Sequence, residues 1–336
     1  MKYKGLGNTG LQVSVVAFGG IAIQKIICEE ATKVIHKAEE LGMNFIDTAR
    51  LYTVSEEYIG YALDGRRDKW IIATKSMARD RNSMIKETNT SFKNLRTDYI
   101  DLYQFHNVKT LEDYNKILSE DGAYKVLEEL KQEGKIGHIG ITSHSGDVLK
   151  VAIESGKFET IMYPYNIVER QGKELFKRAQ ELNIGVIDMK PMAGGALNNG
   201  TLALRYVLSN KNITTAIPGM ANLKEVEENS VCGNEDIVLT EEEKIECDKI
   251  FNELGTKFCR RCGYCAPCTK NIDIPGIFVL EAYKVRYGLP DWADGRYFNL
   301  EARAKDCIEC GACEKRCPYD LPIIEMLKRV RLEFEE

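Results

Sequence analysis

Eight of the eleven cysteines lie between Cys259 and Cys317, and nothing else in the 336 residues restricts the fold as much. Cys259, Cys262, Cys265 and Cys268 spell CxxCxxCxxC; Cys307, Cys310, Cys313 and Cys317 spell CxxCxxCxxxC, followed by Pro318. Three thiolates at three-residue spacing let one turn of loop wrap three corners of a cubane. The bacterial two-cluster pattern takes each fourth ligand from the other motif. This assigns Cys259, Cys262, Cys265 and Cys317 to one 4Fe-4S cluster, and Cys307, Cys310, Cys313 and Cys268 to a second. The first motif departs from the usual pattern, with two residues before Cys268 and Thr269 in place of proline. Structural zinc is the alternative, although zinc takes four ligands per ion and does not favour three-residue triplets. A reducing cytosol disfavours disulfides. Ligand binding would also hold this part of the chain together.

Upstream, from residue 44 to about 219, short apolar runs alternate with amphipathic stretches. The strand candidates are Asn44–Ala49, Trp70–Lys75, Tyr99–His106, Ile136–Ser143, Thr160–Asn166, Gly185–Pro191 and Thr214–Gly219. Most are continuously apolar, as parallel strands buried on both faces are. Between them Glu29–Leu41 places Val34, Ile35, Ala38 and Leu41 on one helical face, with Gly42 as a C-terminal cap. Similar stripes lie at Val126, Leu127 and Leu130, at Val148–Ile153, and at Leu175, Phe176, Ala179 and Leu182. Such repeats give an α/β fold with a parallel sheet. Periodicity fits a closed (β/α)8 barrel and an open doubly wound sheet alike. Seven strands are clear, and an eighth has to be placed in Gly194–Asn199.

Lys4–Gly19 reads as a hairpin around Asn8-Thr9-Gly10. Gly5 to Gly10 also spells GxGxxG, but a dinucleotide fingerprint needs a strand before it and a helix after it. Almost nothing precedes these glycines, and a strand pattern follows. Thr240-Glu241-Glu242-Glu243 is a capping box that opens a helix over Glu241–Leu254. The expected division is residues 1–250 for the α/β domain and 251–336 for the cysteine domain.

A net charge of −5 argues against non-specific nucleic-acid binding. No run approaches the ~20 apolar residues of a membrane helix, and no signal peptide opens the chain. The expectation is a cytoplasmic protein with neither nucleic acid nor membrane as partner.

In a parallel barrel, functional residues sit at the C-terminal ends of strands. Asp47, Tyr52, Lys75 and His106 occupy such places. Singly, each has a plainer reading: a helix cap, half-buried packing, a solvated strand end, a satisfied core histidine. Four together at successive strand ends favour chemistry.

These residues lie in stretches that resemble the aldo-keto reductases: Gly5–Gly20, Phe45–Ala49 with Tyr52, Ala73–Lys75, Asp101–His106, Gly140–Ser143, Tyr165-Asn166, Gly185–Ile187, and Ile217–Gly219 with Glu228-Asn229. The resemblance spans residues 3–232 and implies a (β/α)8 TIM barrel with Asp47, Tyr52, Lys75 and His106 as catalytic tetrad. The logic of that set holds independently. Carbonyl reduction leaves a developing alkoxide that needs a proton. A tyrosine, with a pKa near ~10, is a poor acid at neutral pH. A lysine ammonium beside it lowers that pKa. Asp47 would hold Lys75, and His106 would hydrogen-bond the carbonyl oxygen.

The resemblance further implies NADP or NAD across the barrel mouth. Thr142 and Ser143 would lie at the carboxamide, Met189 at the nicotinamide ring, Gly219, Met220 and Lys224 by the phosphates, and Glu228 and Asn229 by the adenine, with Asn166 also among the cofactor-binding residues. The chain departs from the family in carrying Met162 in place of a carboxamide glutamine, Met189 in place of a stacking aromatic, and Gly219 in place of a basic residue. These departures leave NADP against NAD open.

The 38 residues between Cys268 and Cys307 contain helix-like stretches such as Pro275–Tyr287. They resemble the helical two-cluster ferredoxin domain, so the whole chain resembles an aldo-keto reductase fused to such a domain. Lys257, Arg260, Arg261, Lys315 and Arg316 flank the cysteines and would raise cluster potentials or dock an acidic ferredoxin. The leading function is NAD(P)H-linked reduction of a small carbonyl, or the reverse alcohol oxidation, with clusters for electron transfer or structure. A nicotinamide gives up two electrons as one hydride, whereas a cluster takes one at a time. Two alternatives therefore stand: a ferredoxin-linked reductase with a flavin or one-electron substrate in the barrel, and a non-catalytic electron-transfer or redox-sensing protein.

Overall fold

A computed structural model describes all residues from Met1 to Glu336. The chain divides into two compact units. The first comprises Met1–Asn166, Arg170–Pro191 and Asn199–Leu239; the second comprises Thr240–Glu336 with the short segments Ile167–Glu169 and Met192–Asn198. Helix Glu241–Gly255, which straddles residue 250, belongs to the second unit. No helix is long and apolar enough to cross a membrane.

The first unit opens with an antiparallel hairpin of β1 (Tyr3–Gly5) and β2 (Gln12–Ser14). Eight parallel strands follow: β3 (Phe18–Gly19), β4 (Phe45–Asp47), β5 (Ile71–Ser76), β6 (Ile100–Phe105), β7 (Ile136–Thr142), β8 (Thr160–Pro164), β9 (Gly185–Met189) and β10 (Thr215–Ile217). They pair in sequence order. Parallel bridges Val16–Ala216 and Gly19–Gly219 bring the two edge strands together, and Ala17 N donates to Ala216 O at 2.9 Å. This is the (β/α)8 barrel, with helices such as Cys28–Glu40, Ala123–Gln132 and Lys173–Glu181 between the strands. Every residue of β4, β6 and β8 is buried, as strands covered on both faces must be.

The eighth strand does not lie at Gly194–Asn199, where the spacing of the pattern puts it. Ala193, Gly194 and Gly195 all have positive φ, a left-handed run that no strand accommodates. Asn199 instead caps helix Gly200–Leu208 by accepting from Leu202 N at 3.0 Å. The missing strand is β3, in the segment expected to continue the N-terminal hairpin.

The hairpin closes one end of the barrel. Leu6 and Val13 join Phe45, Ala73, Leu102, Met162 and Ile187 in a single apolar cluster, each large side chain contributing about 1.5–3 kcal/mol by burial. Gly7 has φ +57°, and a Cβ there would stand 2.3 Å from Gly185 N. Gly7 of the GxGxxG string thus serves backbone approach in this plug, and β2 rather than a dinucleotide-binding helix follows the string.

The second unit is helical: Glu241–Gly255, Ile274–Val285, Pro290–Tyr297, Ala312–Arg316 and Ile323–Glu335. The capping box forms as expected, Thr240 Oγ1 accepting from Glu243 N and Glu243 Oε2 from Thr240 N. The interval between the cysteine motifs folds as helices Ile274–Val285 and Pro290–Tyr297. Tyr297 stacks on Phe334 at 4.1 Å, and Arg329 holds Glu281 with two bonds of 2.6 and 3.0 Å.

Candidate active site and cluster motifs

Asp47 ends β4, Lys75 is the fifth residue of β5, and His106 follows β6 directly. Parallel register sets Lys75 against Gln104 across β5 and β6. Lys75 Nζ donates to Asp47 Oδ1 at 2.5 Å and to Thr48 O at 2.8 Å. Both members of this ion pair are almost fully buried. Gln104 Nε2 donates to the other oxygen, Asp47 Oδ2, at 3.2 Å. Burial presses Lys75 below its usual range and Asp47 above its own, while their mutual attraction opposes both shifts.

Tyr52 completes the group. The Lys75 ammonium lies 5.1 Å from the centre of its ring, and the His106 ring meets it edge-on at 5.9 Å. Burial, and the charges of Lys75, Arg79 and Lys190, hold the His106 imidazole well below its ordinary pKa. It is therefore neutral and carries one N–H. His106 Nδ1 is buried without a hydrogen-bond partner. An orphaned acceptor costs less than an orphaned donor, which places the proton on Nε2. Tyr52, Lys75, Asp47 and His106 are thus brought together.

The nine residues expected around a nicotinamide dinucleotide are treated differently by the fold. Thr142 Oγ1 accepts from Asn107 N at 2.8 Å, which leaves its hydroxyl hydrogen for a ligand. The Ser143 hydroxyl donates to Val108 O at 2.6 Å and accepts from Ser145 N at 2.8 Å, so its hydrogen is taken. Asn166 Nδ2 donates to Lys190 O at 3.1 Å. Met189 packs against the barrel core, of which Met162 is a fully buried member. Gly219 leaves room beside Ile21 and Ala22 that a Cβ would narrow to 3.3 Å; Met220 and Asn229 are buried. Lys224 is exposed and lies 3.6 Å from Glu228. The Thr142 hydroxyl and the open backbone at Gly219 fit a dinucleotide, whereas the Lys224–Glu228 pair has the character of a solvated helix surface.

In the second unit one small cavity is lined by Cys268 together with Cys307, Cys310 and Cys313, the grouping that cross-ligation requires. Cys262 interacts electrostatically with Cys317, and Cys265 with Cys259 and Cys262. Burial pushes the Cys259 thiol up to about 11 and Cys265 up to about 12. Thiols so placed become thiolates only with cationic metal at hand. Backbone N–H groups also point at sulfurs, Arg261 N to Cys259 Sγ and Lys270 N to Cys268 Sγ, each at 3.4 Å. The donor set therefore fits two clusters.

Two of the flanking basic residues are not free for docking. Arg260 is buried, donates to Gly255 O at 2.7 Å and lies 4.0 Å over the Tyr319 ring. Arg261 is paired at 2.5 Å with the buried Glu169. Burial of a guanidinium requires such partners, and only Lys257, Lys315 and Arg316 remain on the surface.

Nothing in the sequence marks Gln104, although it shares a strand face with His106, two residues on. Glu56 and Arg50, which brace the Tyr52 loop, resemble ordinary first-turn and loop charges.

Comparison with known proteins identifies both parts of the chain. Residues 15–201 match the model of the aldo/keto reductase family, and residues 258–322 match that of a 4Fe-4S dicluster domain. The second match favours iron–sulfur clusters over zinc; neither supports a flavin. The uncharacterized oxidoreductase YqkF of Bacillus subtilis is 34% identical over 218 residues, covering 60% of this chain and 68% of that protein. L-galactose dehydrogenase of Arabidopsis thaliana is 29% identical over 284 residues, covering 68% and 87%. Among solved structures, the aldo-keto reductase AKR11C1 from Bacillus halodurans in its holo form aligns with a TM-score of 0.67 and 29% identity, over 74% of this chain and 96% of that one. The chain belongs to the aldo/keto reductase family of oxidoreductases and carries a C-terminal 4Fe-4S dicluster domain.

Proposed function

We propose that the barrel catalyses NAD(P)H-linked reduction of a small-molecule carbonyl, or the reverse oxidation of an alcohol, with Tyr52 as proton donor. The observation that carries this reading is the buried Lys75–Asp47 ion pair beneath the Tyr52 ring. A bound nicotinamide would supply the hydride; Thr142 and the Gly219 backbone are the residues best disposed to hold it.

The chain's own residues handle the proton. Lys75, fixed by Asp47 and the Thr48 carbonyl, places positive charge beside Tyr52 and stabilises its phenolate, so the phenol becomes a competent acid near neutral pH. Gln104 holds the second Asp47 oxygen and keeps that carboxylate aimed at Lys75. Neutral His106 offers its Nε2–H to the carbonyl oxygen, where charge develops. As a neutral donor it orients the substrate without competing for Tyr52's role as acid.

In the second unit Cys259, Cys262, Cys265 and Cys317 would hold one cluster, and Cys268, Cys307, Cys310 and Cys313 the other. The clusters supply one-electron carriers, and Cys310 is an exposed cysteine among these ligands, the side on which an external redox partner has access.

The test is anaerobic incubation with NADH or NADPH and a panel of aldehydes and ketones, following nicotinamide and iron–sulfur absorbance together. Nicotinamide consumed only when a carbonyl is present supports the reading. No turnover with any carbonyl, while the clusters remain intact, would count against it.

A further inference from the structure

Glu56 is a buried carboxylate outside the tetrad. It is 1% exposed and accepts from Thr74 Oγ1 at 2.7 Å, Ser91 Oγ at 2.8 Å and Arg50 Nη1 at 2.5 Å. A carboxylate so deep in the fold needs such a set of donors. Their origins are informative. Arg50 and Glu56 lie on either side of Tyr52 in the chain, so their ion pair closes the loop that carries the tyrosine. Thr48 and Ser55 close it a second time, hydroxyl to hydroxyl at 2.8 Å. Arg50 N also donates to Lys75 O at 3.0 Å, and Thr48 N to Ala73 O at 2.9 Å. Thr74, a donor to Glu56, immediately precedes Lys75 on β5. One carboxylate is thus tied both to the loop bearing Tyr52 and to the strand bearing Lys75.

We infer that Glu56 is a positioning residue: it sets Tyr52 against Lys75 and helps to keep Lys75 protonated, an inference that rests on Tyr52 being the proton donor. The charged and titratable groups around it come from four elements. Arg50 comes from the Tyr52 loop. Glu87 comes from helix Arg81–Leu95, its Oε2 3.1 Å from Arg50 Nε. Tyr103 comes from β6, its hydroxyl 3.2 Å from Ser91 Oγ, and Lys75 comes from β5. Apart from Lys75 itself, one guanidinium faces two carboxylates here. The Glu56 carboxylate acts with Asp47 to oppose the effect of burial on Lys75, while His106 is held neutral and adds no charge.

The experiment compares the wild type with Glu56→Gln, Glu56→Asp and Tyr52→Phe, measuring kcat, KM and an ultraviolet titration of tyrosinate with the Tyr52→Phe protein as background. Glu56→Gln keeps the shape of the side chain and removes its charge. It is expected to lower kcat about 10- to 100-fold with KM within about threefold. It should also move the Tyr52 titration to higher pH by about one unit, and Glu56→Asp should recover part of both effects. Wild-type kcat and an unmoved Tyr52 titration in Glu56→Gln, with Tyr52→Phe inactive, overturn this inference alone. The inference fails equally if kcat falls but the Tyr52 titration stays in place, because a merely structural role predicts that. An active Tyr52→Phe overturns the underlying reading instead. Should Glu56→Gln fail to fold, Thr74→Val removes one donor and leaves the charge. Reduced kcat at unchanged KM together with a Tyr52 titration moved to higher pH then supports the positioning role, and an unchanged kcat or an unmoved titration refutes it.

Discussion

Replacing Asp47 with asparagine removes the only carboxylate that contacts the Lys75 ammonium, in a place where both side chains are at most 3% exposed. Breaking a buried ion pair by taking away one partner leaves an uncompensated charge and costs about 3–5 kcal/mol. At roughly 2–4 °C per kcal/mol for a domain of this size, the melting temperature should fall by roughly 10 °C. The cost should depend on pH. Burial already lowers the pKa of Lys75, and attraction to Asp47 is the largest opposing influence; in Asp47→Asn the pKa falls further. Between that lowered value and the unfolded value near ~10.4, the unfolded chain binds a proton that the folded chain lacks, so stability rises with pH across this window. The destabilisation is then largest on the acid side and shrinks as Lys75 sheds its charge. Urea denaturation of wild type and variant, run anaerobically at about pH 6 and about pH 9, reads this directly. A variant that loses less than about 1 kcal/mol, or loses the same amount at both pH values, would refute the claim that Lys75 is a buried cation held by Asp47.

Three other outcomes follow from the same geometry. His106 is held neutral, so the pH–rate profile should show no limb near ~6.5 that disappears in His106→Gln; such a limb would mean the imidazole is protonated in the free protein. Cys268→Ser should remove the cluster shared with Cys307, Cys310 and Cys313 and leave the other, taking iron from about eight to about four atoms per chain. Loss of both clusters together, or of neither, would contradict the cross-ligation. Lys224→Ala should change NADPH affinity by less than about threefold, because an exposed, paired lysine contributes little; a tenfold loss in a fluorescence titration would show that Lys224 holds a phosphate.

Which features could be read from the sequence follows from how local their causes are. Strands such as Tyr99–His106 announce themselves because burial on both faces demands an unbroken apolar run. β3 does not, because two residues beside a hairpin give no periodic signal. Only the barrel's closure, through Val16–Ala216 and Gly19–Gly219, identifies it. Gly194–Asn199 misleads in the opposite sense, since a small, polar stretch at the right interval hides a left-handed backbone. The cysteine spacing carries its chemistry because ligand geometry is local to each loop, and the residues between the motifs show their helices by ordinary patterning. Gln104 and Glu56 are less legible. A glutamine inside an apolar strand and a glutamate in the first turn of a helix look alike wherever they occur, and their importance lies in contacts with Asp47 and Arg50 that only the folded chain makes. The burial of Arg260 and Arg261 is hidden for the same reason: basic residues beside cysteines suggest a surface, until Glu169 and Tyr319 are seen to enclose them.

The most direct test of the central claim is the rate of carbonyl-dependent nicotinamide oxidation by Tyr52→Phe beside the wild type, with iron–sulfur absorbance recorded on the same anaerobic samples. Loss of the proton donor should cut kcat by about 10²–10⁴-fold while the cluster absorbance stays at the wild-type level. A Tyr52→Phe protein that reduces the carbonyl at the wild-type rate, with its clusters equally intact, would contradict the account.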